Sequence, residues 1–365
     1  MAANKRSELL GAHLAKPQHE LRPILTSLNG DNSWLMSFPV PRSKKTPTAS
    51  KPAKAYYHIV WDPWFSTSGA AITIASWFAT VTQTAHSTIQ NGGDVEEIVR
   101  EIECKAAEAG LVNPDLQESS KEPMVDAIVI SMHYTDHLHE ASLRKFDRRI
   151  PIVAAPEAAA IMHKWGYFQT IVSLQDMGDE GSAWQALHPR GPLPEWLTPF
   201  RLRGEHDLNF AIVVVWSHEL AGEGEEVGTA QTTRHDALWV SPHGMRMDQT
   251  PLQAFLRDTT KTVDVLAMLH PLKESFTWGW QTVSGVTGGL ALERALKKSP
   301  KYWVLEADAV FGYWGLVMTR TWDVPRTLDW GLAEEERRAR ENGDTVVKRR
   351  PNLVQVDIDQ SLVLV

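Results

Sequence analysis

Cysteine is nearly absent: Cys104 is the one cysteine in 365 residues, so no intramolecular disulfide and no Cys-based metal cluster can form. Its segment, EIVREIECKAAEAG, is spaced like a helix, which points to a packing role in a reducing compartment. Positive charge is also scarce, with Lys+Arg 37 against Asp+Glu 45 and a formal net charge of -8. Without a basic run, the electrostatic drive toward a phosphate backbone is missing, and nucleic acid is excluded as a partner. Long apolar stretches are missing too. Runs such as Ala211 to Trp216 fall far short of the ~20 residues of a membrane span, and MAANKRSELLGAHLAKPQ has no apolar core of the signal-peptide kind. The expectation is a cytoplasmic protein with no membrane partner. No Gly-x-Ser-x-Gly occurs, and the glycines of VSGVTGGL lack the lysine of a phosphate-binding loop, so an acyl-serine hydrolase is disfavoured.

What is present is a globular composition, 43% hydrophobic and 22% charged. LRPILTSLNGDNSWLMSFPV and AYYHIVWDPWF read as an antiparallel pair joined by the Lys- and Pro-rich PRSKKTPTASKPAK. Residues 71–112 carry a mixed helical pattern, clearest from Val95 to Ala109, where the acidic residues gather toward the start. MVDAIVIS is a buried strand that delivers the polar MHYTDHLHEASLRKF. RIPIVAA, PEAAAIMHKWGY and QTIVSL follow as strand, helix and strand, with Pro156 in the first helical turn. Gly and Pro crowd Asp176 to Gly204, which reads as an extended loop. LNFAIVVVWSHEL and ALWVSPHG form a second β block around the tip AGEGEEVGTAQTTRH. VDVLAML, GGLALERALKKSP and KYWVLEAD give strand, helix and strand, DWGLAEEERRARENG a charged helix ending at Gly343, and PNLVQVDIDQSLVLV a closing strand.

Two sheets packed face to face, with helices outside, would bury both apolar strand faces, so the pattern predicts an α/β (α+β) four-layer αββα sandwich of two mixed sheets. The expected organisation is an N-terminal extension over residues 1–19 and one domain over 20–365, with loop insertions near 41–55 and 176–207.

Five of the 14 histidines stand where a strand gives way to a polar loop: His133, His137, His139, His243 and His270. Such loops are where a fixed scaffold presents reactive groups. SMHYTDHLH packs three imidazoles and one carboxylate into a short span, the nitrogen and oxygen donors that zinc accepts. The competing reading makes Thr135 or Asp136 the cap of the helix running into EASLRKF, with the histidines as its solvated first turn. Tryptophan is abundant, with 15 residues; WDPWF and TWGWQ either build core or wall an apolar pocket, for which Trp64 is the candidate.

DAIVISMHYTDHLH, with GDNSWLMSF and HIVWDPWF before it and ALWVSPHG, VLAMLHP and KYWVLEAD after it, resembles the metallo-β-lactamase fold superfamily, in particular a fungal branch distantly similar to sugar-phosphate lactonases. That family carries His-x-His-x-Asp-His at the end of a buried strand. Asp136 and His137 match its Asp-His pair, while Met132 and Tyr134 stand where the two earlier histidines belong, and His133 is out of register. His243 falls where the family offers a metal-bridging group; Asn209 takes another ligand position, and Ala307 replaces a late histidine before Asp308. The resemblance therefore implies a depleted site: His133, Asp136, His137 and His243 for one zinc ion at most, with Asp136 catalytic. The implied activity is metal-dependent hydrolysis of a small ester, lactone or amide by metal-bound hydroxide. Its alternative is a non-catalytic protein of the same fold that has lost its metal and keeps the cavity for a ligand or partner.

Overall fold

The computed structural model describes residues 2–17, 20–41, 53–113, 122–180, 183–219, 233–345 and 349–365. A helix, α1 (Ala2–Leu14), precedes the antiparallel strands β1 (Ile24–Ser27), β2 (Trp34–Pro39) and β3 (Tyr56–Trp61). A hairpin of β4 (Ala71–Thr73) and β5 (Ala79–Gln83) leads to α2 (Gly92–Glu108), capped by Asn91 and Asp94. Next, β6 (Ala127–Ile130), β7 (Ile152–Ala154) and β8 (Ile171–Ser173) extend the sheet in parallel from β3, with the one-turn α3 (Glu140–Leu143) and α4 (Pro156–Trp165) between them. With β19 (Ser361–Val363), they make a seven-stranded sheet in the order β19-β1-β2-β3-β6-β7-β8.

The second sheet has six strands: β9 (Leu197–Arg203), β10 (Phe210–Glu219) and β11 (Thr233–Val240) are antiparallel, and β12 (Val263–His270), β15 (Tyr302–Leu305) and β18 (Leu353–Val354) continue in parallel from β11. Its helices are α5 (Thr250–Asp258), α6 (Val286–Ala295) and α7 (Leu328–Asn342), the last closed by Gly343 at φ 73. Two three-stranded sheets stand beside this frame: β14 (Trp280–Val283), β13 (Glu274–Thr277) and β17 (Thr321–Val324), and β16 (Phe311–Trp314) with β5 and β4.

Alternation of side chains explains the layers. On β6, Ala127 and Val129 enter the inter-sheet core while Ile128 and Ile130 meet the helices; on β10, Ile212 and Val214 face inward while Val213 and Val215 face outward. The inter-sheet layer holds Trp34, Trp61 and Leu269, the α1, α2 and α4 layer holds Leu10, Ile98 and Met162, and the α5, α6 and α7 layer holds Phe255, Leu290 and Leu328. The chain is an αββα sandwich, as its pattern predicts.

Four expectations need correction. Residues 71–83 form a hairpin, because the Thr- and Ala-rich run has no stripe to bury and α2 begins only at Gly92. The segment read as loop from Asp176 to Gly204 contains β9, an edge strand where Pro199 is tolerated opposite Val214. The closing segment is two strands in two sheets rather than one. Cys104, expected to pack, is exposed on α2. Within residues 1–19, α1 buries Leu10 and Leu14 in the helix layer. The expected insertion at 41–55 lies outside the described residues over 42–52, as does the hairpin tip over 220–232. No helix among the described residues is long and apolar enough to cross a membrane.

Arg201 on β9 forks between the halves, donating to Asp176 (2.7 and 2.9 Å) and to Glu157 on α4 (2.7 and 3.3 Å). Burial alone would raise the Glu157 pKa, but the Arg201 hydrogen bonds outweigh it and hold the carboxyl below its ordinary value. A folded pKa below the unfolded one stabilises above the carboxylate range and ceases to do so as pH falls through it. Arg201→Gln should cost about 2–3 kcal/mol at pH 7. The gap between wild type and Glu157→Gln in chemical denaturation should close on acidification; a gap independent of pH would show that the pair contributes nothing through its charge.

Candidate functional site

The site grows from the ends of β3 and β6. Immediately after β3, Asp62 adopts φ 41, and its amide donates to the Val129 carbonyl (3.0 Å). Its carboxylate accepts from the Ser131 amide (2.7 Å) and the Ser131 hydroxyl, and it meets His137 Nδ1 at 2.8 Å. Asp62 and His137 are both buried. With Nδ1 engaged by Asp62, His137 Nε2 faces Asn32 Nδ2 at 3.4 Å and Asp136 Oδ2 at 3.9 Å. Burial alone would lower the His137 pKa, but the Asp136 and Asp62 carboxylates outweigh it and lift the value to about 9. At neutral pH the ring is an imidazolium.

The loop between β1 and β2 supplies the neighbouring wall. Asn29 Oδ1 accepts from the amides of Asp31 and Ser33, turning this loop toward Asp62, and Ser33 Oγ donates to the Asp62 carbonyl (2.6 Å). Asn32 Nδ2 lies against the His137 ring, 3.2 Å from Nδ1, while Asn32 Oδ1 is buried without a partner. Asp31 is buried, and burial raises its pKa against the pull of nearby Lys273. After β15, Glu306 is buried with neither carboxyl oxygen hydrogen-bonded, and the adjacent Trp34 Nε1 also lacks a partner. Burial, with the negative charge of Asp62 and Asp31, pushes the Glu306 pKa well above the carboxylate range.

Lys273 closes the far side: buried, its Nζ donates to the Ala309 carbonyl (2.7 Å), stands 3.8 Å from Asp323 and rides over the Phe311 ring (4.9 Å). Tyr313 and Ser275 donate to the same Asp323.

Of the residues expected from the sequence, Asp136, His137 and His243 come together. The His243 ring centroid is 5.8 Å from that of His137, and its Nδ1 is buried without a partner. Burial, reinforced by the His137 charge, lowers the His243 pKa to about 4, so this imidazole is neutral. His133 instead stacks on Tyr134 (4.5 Å), and no hydrogen bond joins it to the couple among the described residues. His139 caps α3, its Nδ1 accepting from the Ser142 amide, and so takes the role expected of Thr135 or Asp136. His270 pairs with the Pro271 carbonyl and Trp303, and burial lowers its pKa to about 4. Asp308 accepts from the amides of Leu272 and Lys273, a structural use of its carboxylate. Asn209 accepts from the Arg246 amide, Met132 packs in the inter-sheet core, and Ala307 sits at φ 53 with no donor to offer. Trp64 is buried between His139 and Phe311 and walls no open pocket.

Asp62, Asp31, Glu306 and Lys273 were not among the sequence candidates. The legible signal was the acid in WDPW, directly after an apolar strand. A metal ion tests these donors severely. Zinc asks for deprotonated ligands converging at about 2.0–2.2 Å. Among the described residues, no three His, Cys, Asp or Glu side chains form such a group. The residues do not fit a metal centre of the family's kind.

No family model and no curated protein matches the chain. Among solved structures, the isothiocyanate hydrolase from Delia radicum gut bacteria aligns with a TM-score of 0.43 and 12% identity, over 93% of this chain and 98% of that one. A possible metal-dependent hydrolase from Veillonella parvula DSM 2008 aligns with a TM-score of 0.39 and 9% identity, over 94% and 99%. Likeness at this level carries no argument, and the site rests on its own geometry.

Glu306 gives a stability test. An acid with a raised folded pKa favours unfolding as pH climbs above its unfolded value of about 4.3, because only the unfolded chain releases the proton. Glu306→Gln should therefore melt higher than wild type at pH 7–8, by a margin that shrinks toward pH 4; an equal margin at every pH would mean that Glu306 is ionised in the fold.

Proposed function

We propose that the chain is a hydrolase of a small ester, lactone or amide, working by acid–base chemistry at Asp136, His137 and His243. The observation that carries this reading is the buried Asp62–His137 couple, which holds one imidazole by Nδ1 and leaves Nε2 beside the partly exposed Asp136 carboxylate. A fixed imidazolium beside a partly exposed carboxylate supplies the acid and the base that hydrolysis uses. Asp136 accepts a proton from water as the water oxygen attacks the carbonyl carbon. His137 Nε2–H then protonates the leaving oxygen or nitrogen as its bond to that carbon breaks. Asp62 and Ser131 keep the ring in one orientation and one tautomer, and the neutral His243 lies beside the ring on the β11 side.

The experiment is turnover of a panel of aryl esters, lactones and anilides by the full chain. Asp136→Asn should lower kcat by at least about 10²-fold while leaving the melting temperature close to wild type. His137→Gln should lower kcat as much but also melt lower, because it removes the charged partner of the buried Asp62 carboxylate. The rate should fall as pH rises through about 9, where the imidazolium loses its proton. The single zinc ion implied by resemblance would require Asp136, His137 and His243 to draw together. Chelation reads that case: activity lost to a chelator and restored by zinc overturns the acid–base reading, and absence of any turnover favours the non-catalytic alternative.

A further inference from the structure

The two small sheets present an apolar surface that the core does not need. Ile72 and Trp314 flank Thr80 across three adjacent strands, on one face of the β16-β5-β4 sheet, and are 44% and 62% exposed. The turn joining β4 and β5 adds Ile74 and Trp77, and the Leu316 amide donates to the Trp77 carbonyl (2.9 Å), so Leu316 continues the same patch. Trp278 of the other small sheet is joined to it through Nε1, which donates to the Val317 carbonyl (3.0 Å). Exposed apolar groups scattered singly need no explanation, whereas a contiguous patch marks an interaction site.

We infer that this face docks on a phospholipid bilayer surface, inserting the Ile74–Trp77 turn among the headgroups. Three features select that occupant. No Asp, Glu, Lys or Arg occurs between Asp62 and Asp94, between Glu274 and Glu293, or between Asp308 and Arg320, so the segments that build the patch are uncharged in a chain whose formal charge is -8. Segments without acidic groups meet lipid headgroups without repulsion of their own, and Arg320, stacked over Trp278 at 4.7 Å, is a cation for phosphate. Tryptophan is the residue that a lipid–water boundary favours, its ring apolar and its N–H wet. Finally, Ile74 is a β-branched residue at φ 65 and is 82% exposed. That conformation is strained for isoleucine, and the fold gains no burial from it. A protruding turn suits a fluid layer better than the flush face that a second copy of the chain would offer. The hydropathy argument against a membrane partner concerned spanning segments; a docking turn requires none. The inference does not rest on the proposed hydrolysis.

The test is flotation of the full chain with phosphatidylcholine vesicles, together with its tryptophan emission. Wild type should float with the vesicles and shift its emission to shorter wavelength. Trp77→Ala with Trp314→Ala should weaken partitioning by at least about tenfold. Ile74→Gly separates docking from folding, because glycine accepts the positive φ: it should melt at or above wild type yet bind vesicles more weakly. Failure of wild type to float, or unchanged flotation of Ile74→Gly, overturns the inference. So does light scattering that shows a dimer dissolved by the same substitutions, which would assign the patch to self-association.

Discussion

Everything at the strand ends depends on one buried carboxylate. Asp62 is carried into the interior by β3, and the cost of an isolated charge there is several kcal/mol, so each partner it has is obligatory. The Ser131 amide and hydroxyl come from the end of β6, and His137 from the turn after it, so satisfying Asp62 fixes how β6 hands over to its loop. The charge then reaches its neighbours. With Asp136 it raises the His137 pKa, the His137 charge adds to burial in lowering that of His243, and the Asp62 charge adds to burial in raising that of Glu306. Burial and this ion pair together bias the protonation of three residues delivered by three different strands.

The frame that holds those ends still is clamped from outside. The C-terminal segment gives β18 to the six-stranded sheet and β19 to the seven-stranded one, so the final stretch of chain binds both layers. Arg6 on α1 reaches Glu101 on α2 and Asp359 in the turn before β19, which secures the same corner. Arg201 does the equivalent on the opposite edge, joining β9 to α4. The clamps lie at the sheet edges, and the loops after β3, β6, β11 and β15 are left to carry polar groups that a core could not accept.

The sandwich was legible because its strands obey period two or are continuously apolar. MVDAIVIS and VDVLAML announce themselves, and Pro156 and Gly343 mark helix limits where they were expected. The small sheets were illegible for the opposite reason: strands of three to five residues that hold aromatics outward break the rule that apolar means buried. Of the site, Asp136, His137 and His243 could be picked because strand ends and a motif point to them. Asp62 and Glu306 could not be assigned from spacing, since Asp62 meets His137, and Glu306 comes near Asp62, only after β3, β6 and β15 are packed together. Met132 shows the limit of motif alignment, for the strand's alternation sends it into the inter-sheet core.

The polar cluster and the apolar face share a wall. Phe311 on β16 stacks on Trp64, two residues after Asp62, and receives the Lys273 ammonium on its ring. Tyr313, on the same strand, donates to Asp323 of β17, which Lys273 also approaches. Strand β16 therefore carries Trp314 outward to the surface and Phe311 and Tyr313 toward the site, the alternation that places helix-facing and core-facing residues elsewhere in the fold. Lys273 is held between these groups, and its charge bears directly on Asp31 in the β1–β2 loop. Phe311 and Tyr313 are thus shared supports of Lys273, and through it strand β16 of the outer sheet is tied to the carboxylates of the polar cluster.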